Sequence, residues 1–173
     1  MATTYELIAS TTLGSAAANI EFTSIPATHD DLLLVVSARS DTAVDRVEGV
    51  KARFNGAVSD TNHSGRYLIG RSASTVFSGT DSICRLGYVT CAGATASTFG
   101  SLETYIPNYA GSSKKTYSSI GVTEHNGASN FDTYIAAIAG LWDSTNAIDE
   151  IELTTTGANN FVAGSSAFLY GIT

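Results

Sequence analysis

An all-β sandwich is the fold class this sequence predicts, on three observations. Residues Asp31-Leu-Leu-Leu-Val-Val-Ser-Ala-Arg39 form a short, nearly unbroken apolar run with polar punctuation at both ends, the pattern of a central strand buried on both faces. Around it lie further short segments rich in Val, Ile, Thr, Tyr and Phe, set apart by Gly, Ser, Asn and Asp. Several of these alternate apolar and polar residues with the period of two that a sheet with one wet side requires.

Taken in order, strands are expected from Tyr5 to Ser10, Asn19 to Ser24 and Leu32 to Arg39, and then from Val47 to Phe54. In the last of these Val50, Ala52 and Phe54 fall on one face, and Lys51 and Arg53 on the other. Asn55-Gly56 follows it and suits the positive φ angles of a tight turn. From Gly56 to Ser82 the chain is polar and glycine-rich, with Arg66-Tyr67-Leu68-Ile69 as its apolar cluster. A long loop is expected there, and because long loops in compact β domains often carry contacts, Arg66 and Tyr67 become candidate binding residues. Strands resume from Ile83 to Thr90, Phe99 to Ile106 and Tyr117 to Glu124, the last closed by Asn126-Gly127. The segment holding Phe131, Tyr134, Ile135, Ile138, Leu141 and Trp142 has helical spacing, with Asn130 as an N-cap. A strand from Tyr134 to Trp142 is nonetheless expected, because Gly140 interrupts it and a sandwich interior tolerates apolar residues on both faces. Strands from Ile148 to Thr154, with Ile151 and Leu153 opposite Glu150 and Glu152, and from Ala167 to Ile172 complete the set.

The 173 residues fit a single domain, 1–173, and neither an internal repeat nor a linker is visible. Charged residues make up only 14% of the chain, well below the usual share, so Ser, Thr, Asn, Gly and Ala must cover much of its surface. Such a surface is cheap to desolvate and suits packing against other subunits. A formal net charge of −7 disfavours a phosphate backbone as partner, and no segment approaches a membrane span. Nucleic acid and membrane are therefore not expected partners. Lys114-Lys115, the adjacent cations, read as a hairpin tip. The start Met1-Ala-Thr-Thr-Tyr-Glu lacks the basic and apolar regions of a secretory signal, so synthesis in a reducing cytoplasm is expected. Cys84 and Cys91 have neither redox nor zinc spacing and read as free buried thiols.

No nucleophile elbow, phosphate-cradling loop or zinc-protease motif is present, and neither catalysis, a cofactor nor a metal is expected. His29-Asp30-Asp31 reads as an acidic turn before a strand rather than a cation site. Glu103 and Glu124 lie on consecutive strands and are the natural pair for glycosidic cleavage. The register that sets Leu102, Thr104 and Ile106 beside Ile120 and Val122, however, leaves Glu103 on the opposite face from Glu124. Tyr105, Tyr109 and Tyr117 flank one hairpin and are the candidates for a sugar-stacking surface; the alternative is half-buried packing. Trp142 reads as core or subunit interface.

Several phrases carry a resemblance: Ile20-Glu-Phe-Thr-Ser-Ile-Pro26, Asp31-Leu-Leu-Leu-Val-Val-Ser-Ala-Arg-Ser40, Arg53-Phe-Asn-Gly56, Tyr105-Ile-Pro-Asn-Tyr-Ala-Gly111, Ala139-Gly-Leu-Trp142 and Leu169-Tyr-Gly-Ile172. In this order they resemble small virion structural proteins of tailed bacteriophages, especially phages of marine and freshwater bacteria, over nearly the whole chain. The resemblance implies a jelly-roll-like antiparallel β-sandwich built into a phage particle, with other virion proteins and sister copies as partners. A homo-oligomer is expected, in the form of a trimer. Two placements follow. The acidic balance favours a decoration or cement protein on the outer surface of the head, away from packaged DNA. A tail or fibre component that binds host glycans or a receptor is the alternative, weakened by a first strand that starts near Tyr5 with no stalk before it.

Overall fold

The computed structural model describes residues 4–56, 62–71, 75–126 and 133–173. Among them it contains twelve strands and no α-helix: β1 (Tyr5–Thr12), β2 (Asn19–Phe22), β3 (Asp31–Ser40), β4 (Val47–Phe54), β5 (His63–Arg71), β6 (Thr75–Asp81), β7 (Arg85–Cys91), β8 (Gly100–Ile106), β9 (Lys115–Thr123), β10 (Tyr134–Trp142), β11 (Ile151–Thr155) and β12 (Ser166–Ile172). They form a jelly-roll-like β-sandwich. The larger layer runs β1-β12-β3-β8-β9-β10-β5-β6 and the smaller β2-β11-β4-β7. Every pairing is antiparallel except a short parallel one, Arg39 with Thr90 and Ser40 with Cys91, where the end of β3 leaves the large layer and joins the small one.

The core lies between the layers. Leu32, Leu34 and Val36 on β3, Val50, Ala52 and Phe54 on β4, and Ile151 and Leu153 on β11 are sealed from solvent, while Lys51, Arg53, Glu152 and Thr154 face outward in a half-exposed row. This is the alternation expected for β4 and β11. For β3 the expectation of two buried faces is corrected: Leu33 and Val35 are half-buried and Ser37 is exposed, because among the described residues no element covers the outer side of the large layer.

All ten predicted strands are present, but the expected long loop from Gly56 to Ser82 is corrected by a hairpin of β5 and β6 that extends the large layer to its edge. On its inner side Tyr67, Ile69 and Phe77 alternate with the outward-facing Arg66, Leu68, Ser78 and Thr80. Two glycines of the segment have packing reasons: a Cβ on Gly79 would run into the Tyr67 ring, and one on Gly70 would press on Ile135. Residues 57–61 and 72–74 lie outside the described residues. So do Asn130, the N-cap of the helical alternative, and Phe131; the described part, Tyr134–Trp142, is strand β10. At Asn55-Gly56 both residues take positive φ, 54° and 63°, as their turn chemistry suggests. Asn126 does so too, at 51°, while Gly127 is not among the described residues.

Lys114 pairs with Asp143 at 2.5 Å. Lys115, read from the sequence as part of an exposed tip, is buried instead. Its ammonium donates to the carbonyls of Gly111, Ser113 and Thr145, which ties the β8–β9 connection to the segment after β10.

Both cysteines are free and buried, as expected. Burial pushes the Cys91 thiol up to about 12, with the Glu48 and Asp45 carboxylates adding to the effect. A protonated thiol is a poor nucleophile. The folded protein is therefore expected to resist thiol reagents at pH 8 and to react at both cysteines only after unfolding. Stoichiometric labelling of Cys91 within minutes under native conditions would contradict this.

Candidate functional site

The five residues singled out from the sequence do not form one site. Tyr109 is completely buried and donates its hydroxyl to the Pro26 carbonyl, so it anchors the segment after β8 to the loop before β3. Tyr117 is also buried, packing edge-on to Phe54 and lying over Gly140, where an added Cβ would stand 1.9 Å from its ring. Neither can offer a ring face to a sugar, which corrects the proposed stacking trio. Tyr105 remains at the surface, with its hydroxyl on the Asp31 carboxylate at 2.6 Å. Neighbours on β5, Arg66 and Tyr67 point to opposite sides: Arg66 outward, Tyr67 inward against Phe77. Trp142 belongs to the core.

The carboxylate pair also needs correcting. Glu103 stands opposite Ile120 on β9, and Ser101 opposite Val122. Glu124, two residues beyond Val122, is therefore on the same side as Glu103, not the opposite one. Four strand positions separate them, about 13 Å. That is too far for either stereochemical arrangement of glycosidase carboxylates, ~5–9.5 Å. Asp31 accepts from Tyr105 and from the Asn108 amide, and no cluster of three potential metal ligands exists among the described residues.

What the structure does assemble is the outer face of the large layer. The register of the six strands β6-β5-β10-β9-β8-β3 aligns three cross-sheet rows. The first runs Val76, Gly70, Ile135, Val122, Ser101, Ser37. One step along the strands is Ser78, Leu68, Ala137, Ile120, Glu103, Val35. The third is Thr80, Arg66, Ala139, Ser118, Tyr105, Leu33. Val76 is 68% exposed, Ile120 62%, Ile135 60% and Leu68 52%, so the centre of this face is apolar and in water. Only Arg66 and Glu103 are charged in the three rows. Beside Arg66 is a shallow dent of about 370 Å³, walled by Thr80, Ala139, Leu141 and Thr116 with Gly65 and Gly140 at its floor.

Strand β9 explains how large apolar residues come to face outward. Its inward positions are Tyr117, Ser119, Gly121 and Thr123. Ser119 Oγ meets the Leu86 carbonyl at 2.5 Å, the Glu103 carbonyl at 3.0 Å and Thr104 Oγ1 at 2.8 Å, so a small hydroxyl is fully satisfied between the layers. Gly121 leaves room for its neighbour on β8: a Cβ there would be 3.3 Å from the Leu102 side chain, with Gly87 of β7 at an ordinary 3.8 Å across the layers. With small groups required inside, Ile120 and Val122 take the outer face, the reverse of the orientation hydrophobicity alone assigns. No local signal in β9 marks this surface, because the contacts that decide its orientation are made with other strands.

Comparison with protein-family models and with curated proteins gives no match. Among solved structures, the chain is similar to the CBM40 module of the Ruminococcus gnavus IT-sialidase, bound to α2,6 sialyllactose, at 11% identity over 97% of this chain and 95% of that one, with a TM-score of 0.40. It is also similar to the exoplasmic/lumenal domain of VIP36 in its Ca²⁺/Man3GlcNAc-bound form, at 12% identity over 98% and 84% of the two chains, TM-score 0.31. At these identities the likeness concerns the β-sandwich fold alone.

Proposed function

We propose that this protein is a non-enzymatic structural component of a bacteriophage virion, a decoration or cement protein on the outer surface of the head. The observation that carries the reading is the wide, weakly ionic outer face of the large layer, with Ile120, Ile135, Leu68 and Val76 more than half exposed. A contiguous apolar patch of this kind marks an interaction surface. It has few charges to strip of water, so each copy gains a modest contact that symmetry repeats over a shell. The net charge of −7 suits the exterior, because packaged phosphate would repel it inside. The partners in this reading are other virion proteins and sister copies, and the protein is made in the host cytoplasm, where its two thiols stay reduced.

Imaging of labelled virions is expected to place the protein on the head, and phage lacking it are expected to lose infectivity at lower temperature or after osmotic shock. Heads of unchanged resistance would remove the cementing role. The alternative, a tail or fibre component that binds host glycans, is favoured by one feature. Under the overhanging β5–β6 hairpin, half-buried Tyr67, Phe77, Tyr134 and Tyr88 cluster with Arg71, whose guanidinium lies over Phe77 and Tyr134 at 5.4 and 6.0 Å from the ring centres. Binding of the purified protein to host polysaccharide would support it, and absence of binding would end it.

A further inference from the structure

We propose that the occupant of this outer face is a second copy of the same chain, packed face to face about a two-fold axis running along the seam between β9 and β10. The proposal rests on the assembly reading and chooses, of its two partners, a sister copy and not a shell protein for this face, so that a contact with a shell falls to another surface. It replaces the expected trimer with a dimer as the elementary contact.

The first argument is the strand order. On one side of the seam lie β9, β8 and β3; on the other lie β10, β5 and β6. A two-fold axis in the contact plane, parallel to the strands, lays β9 of one copy on β10 of the other, β8 on β5 and β3 on β6, with each cross-sheet row facing itself. Every contact is thereby made twice.

The second argument is what this superposition brings together. Ile135 of one copy meets Val122 of the other, and Ala137 meets Ile120, so β9 and β10 of the two copies bury apolar against apolar, while Leu68 on β5 comes to lie against Glu103 on β8. Gly70 meets Ser101, two small groups that permit the usual sheet separation of about 10 Å. Tyr105, a projection, faces Arg66 beside its dent, and the guanidinium gains an aromatic ring to cover.

Charge complementarity is the third argument. Within one copy Arg66 and Glu103 are three strand spacings apart, about 14 Å, and do not pair. Across the axis β8 lies over β5, and the two residues stand one row apart, about 7 Å along the strand. The long Arg66 side chain spans that offset. Two such pairs form, so two chains of net charge −7 meet through faces that are each neutral in these rows.

The area is also sufficient. Six strands at ~4.8 Å spacing by about seven residues give a face of roughly 29 by 23 Å, about 650 Å² per copy and 1,300 Å² for the pair, within the range of specific interfaces.

Sedimentation velocity and light scattering of the purified full chain over a concentration series are expected to show a dimer. Ile120→Lys is expected to give a monomer with an unchanged β-sheet circular dichroism spectrum. Arg66→Glu and Glu103→Arg, both at exposed positions, should each weaken the dimer about tenfold or more, and the double variant R66E/E103R should restore it. A wild-type chain that stays monomeric throughout the micromolar range overturns the proposal, as does a dimer indifferent to these changes. A trimer disrupted by Ile120→Lys also overturns the two-fold arrangement. A monomer that still joins phage heads, and loses them on Ile120→Lys, gives the face to a shell protein and overturns the second copy while leaving the virion reading intact.

Discussion

Phe54→Ala is expected to lower the unfolding free energy by about 3–5 kcal/mol, the usual cost of removing a fully buried aromatic side chain. Phe54 ends β4 in the small layer and is 1% exposed. Its ring meets three rings of the large layer, each from a different strand: Trp142 on β10 at 5.5 Å between centres, His63 on β5 at 6.1 Å and Tyr117 on β9 at 6.4 Å. The tilted and edge-on arrangements are those in which aromatic pairs attract beyond simple burial. Phe54 therefore bolts one layer to the other, and a methyl in its place leaves a cavity that three packed strands cannot close. Trp142 is the single tryptophan, so its fluorescence reports directly on this contact. Urea unfolding followed by that signal is the measurement, with Val44→Ala, at a residue 92% exposed and off the outer face, as a control expected within about 0.5 kcal/mol of the parent. A loss below about 1 kcal/mol for Phe54→Ala would mean that the layers are held together elsewhere.

How far the fold could be read from the sequence depends on where apolar alternation is one-sided. In β4 and β11 charged residues alternate with Val, Ala, Phe, Ile and Leu, so only one orientation is physically cheap and the sequence declares it. In β10 the apolar residues occupy both faces, which is why helical spacing competed with the strand; Ile135 is 60% exposed while Ala136 is sealed. The β5–β6 hairpin is hidden in the sequence because Gly65, Gly70 and Gly79 dilute the period-two signal of Tyr67, Ile69 and Phe77, and the reason for Gly70 and Gly79, room for the Ile135 and Tyr67 side chains, is tertiary.

The same limit governs the candidate surface. Nothing local to β9 says that Ser119 will find the carbonyls of Leu86 and Glu103, or that Gly121 will lie tight against the Leu102 side chain of β8. Without those contacts Ile120 and Val122 are assigned to the core, Glu103 and Glu124 fall on opposite sides, and the surface disappears. Tyrosines near a hairpin attract attention for binding, yet Tyr109 and Tyr117 are the ones whose size the core uses. In the sequence Arg66 is a candidate for its place in an expected loop; in the structure it matters for a different reason, as a charge on the outer face.

Arg39→Met is expected to cost about 2–4 kcal/mol and to loosen one corner of the sandwich selectively. Arg39 lies where β3 crosses from the large layer to the small one, and it is only 7% exposed. Its guanidinium donates to the carbonyls of Thr98 at 2.8 Å, Thr95 at 3.0 Å and Ala94 at 3.1 Å, and to Thr98 Oγ1 at 3.0 Å. One planar fork thus holds the whole turn between β7 and β8, replacing water for acceptors that belong to no strand ladder. An apolar side chain of similar length fills the space but removes the donor of the Ala94 carbonyl and one of the donors to Thr95 and Thr98, which keep the Thr98 and Thr90 hydroxyls, at about 1–3 kcal/mol for each lost bond that water cannot replace. Thr95 is exposed and recovers water most easily, which holds the total below the full sum. Arg39→Lys keeps the charge but cannot spread its donors over three carbonyls, so a smaller loss of about 1–2 kcal/mol is expected. Chemical denaturation, with hydrogen exchange of residues 94–98, separates this from a general weakening of the core. Unchanged exchange in that segment, or a penalty within about 0.5 kcal/mol of zero, would show that the turn keeps its shape without Arg39.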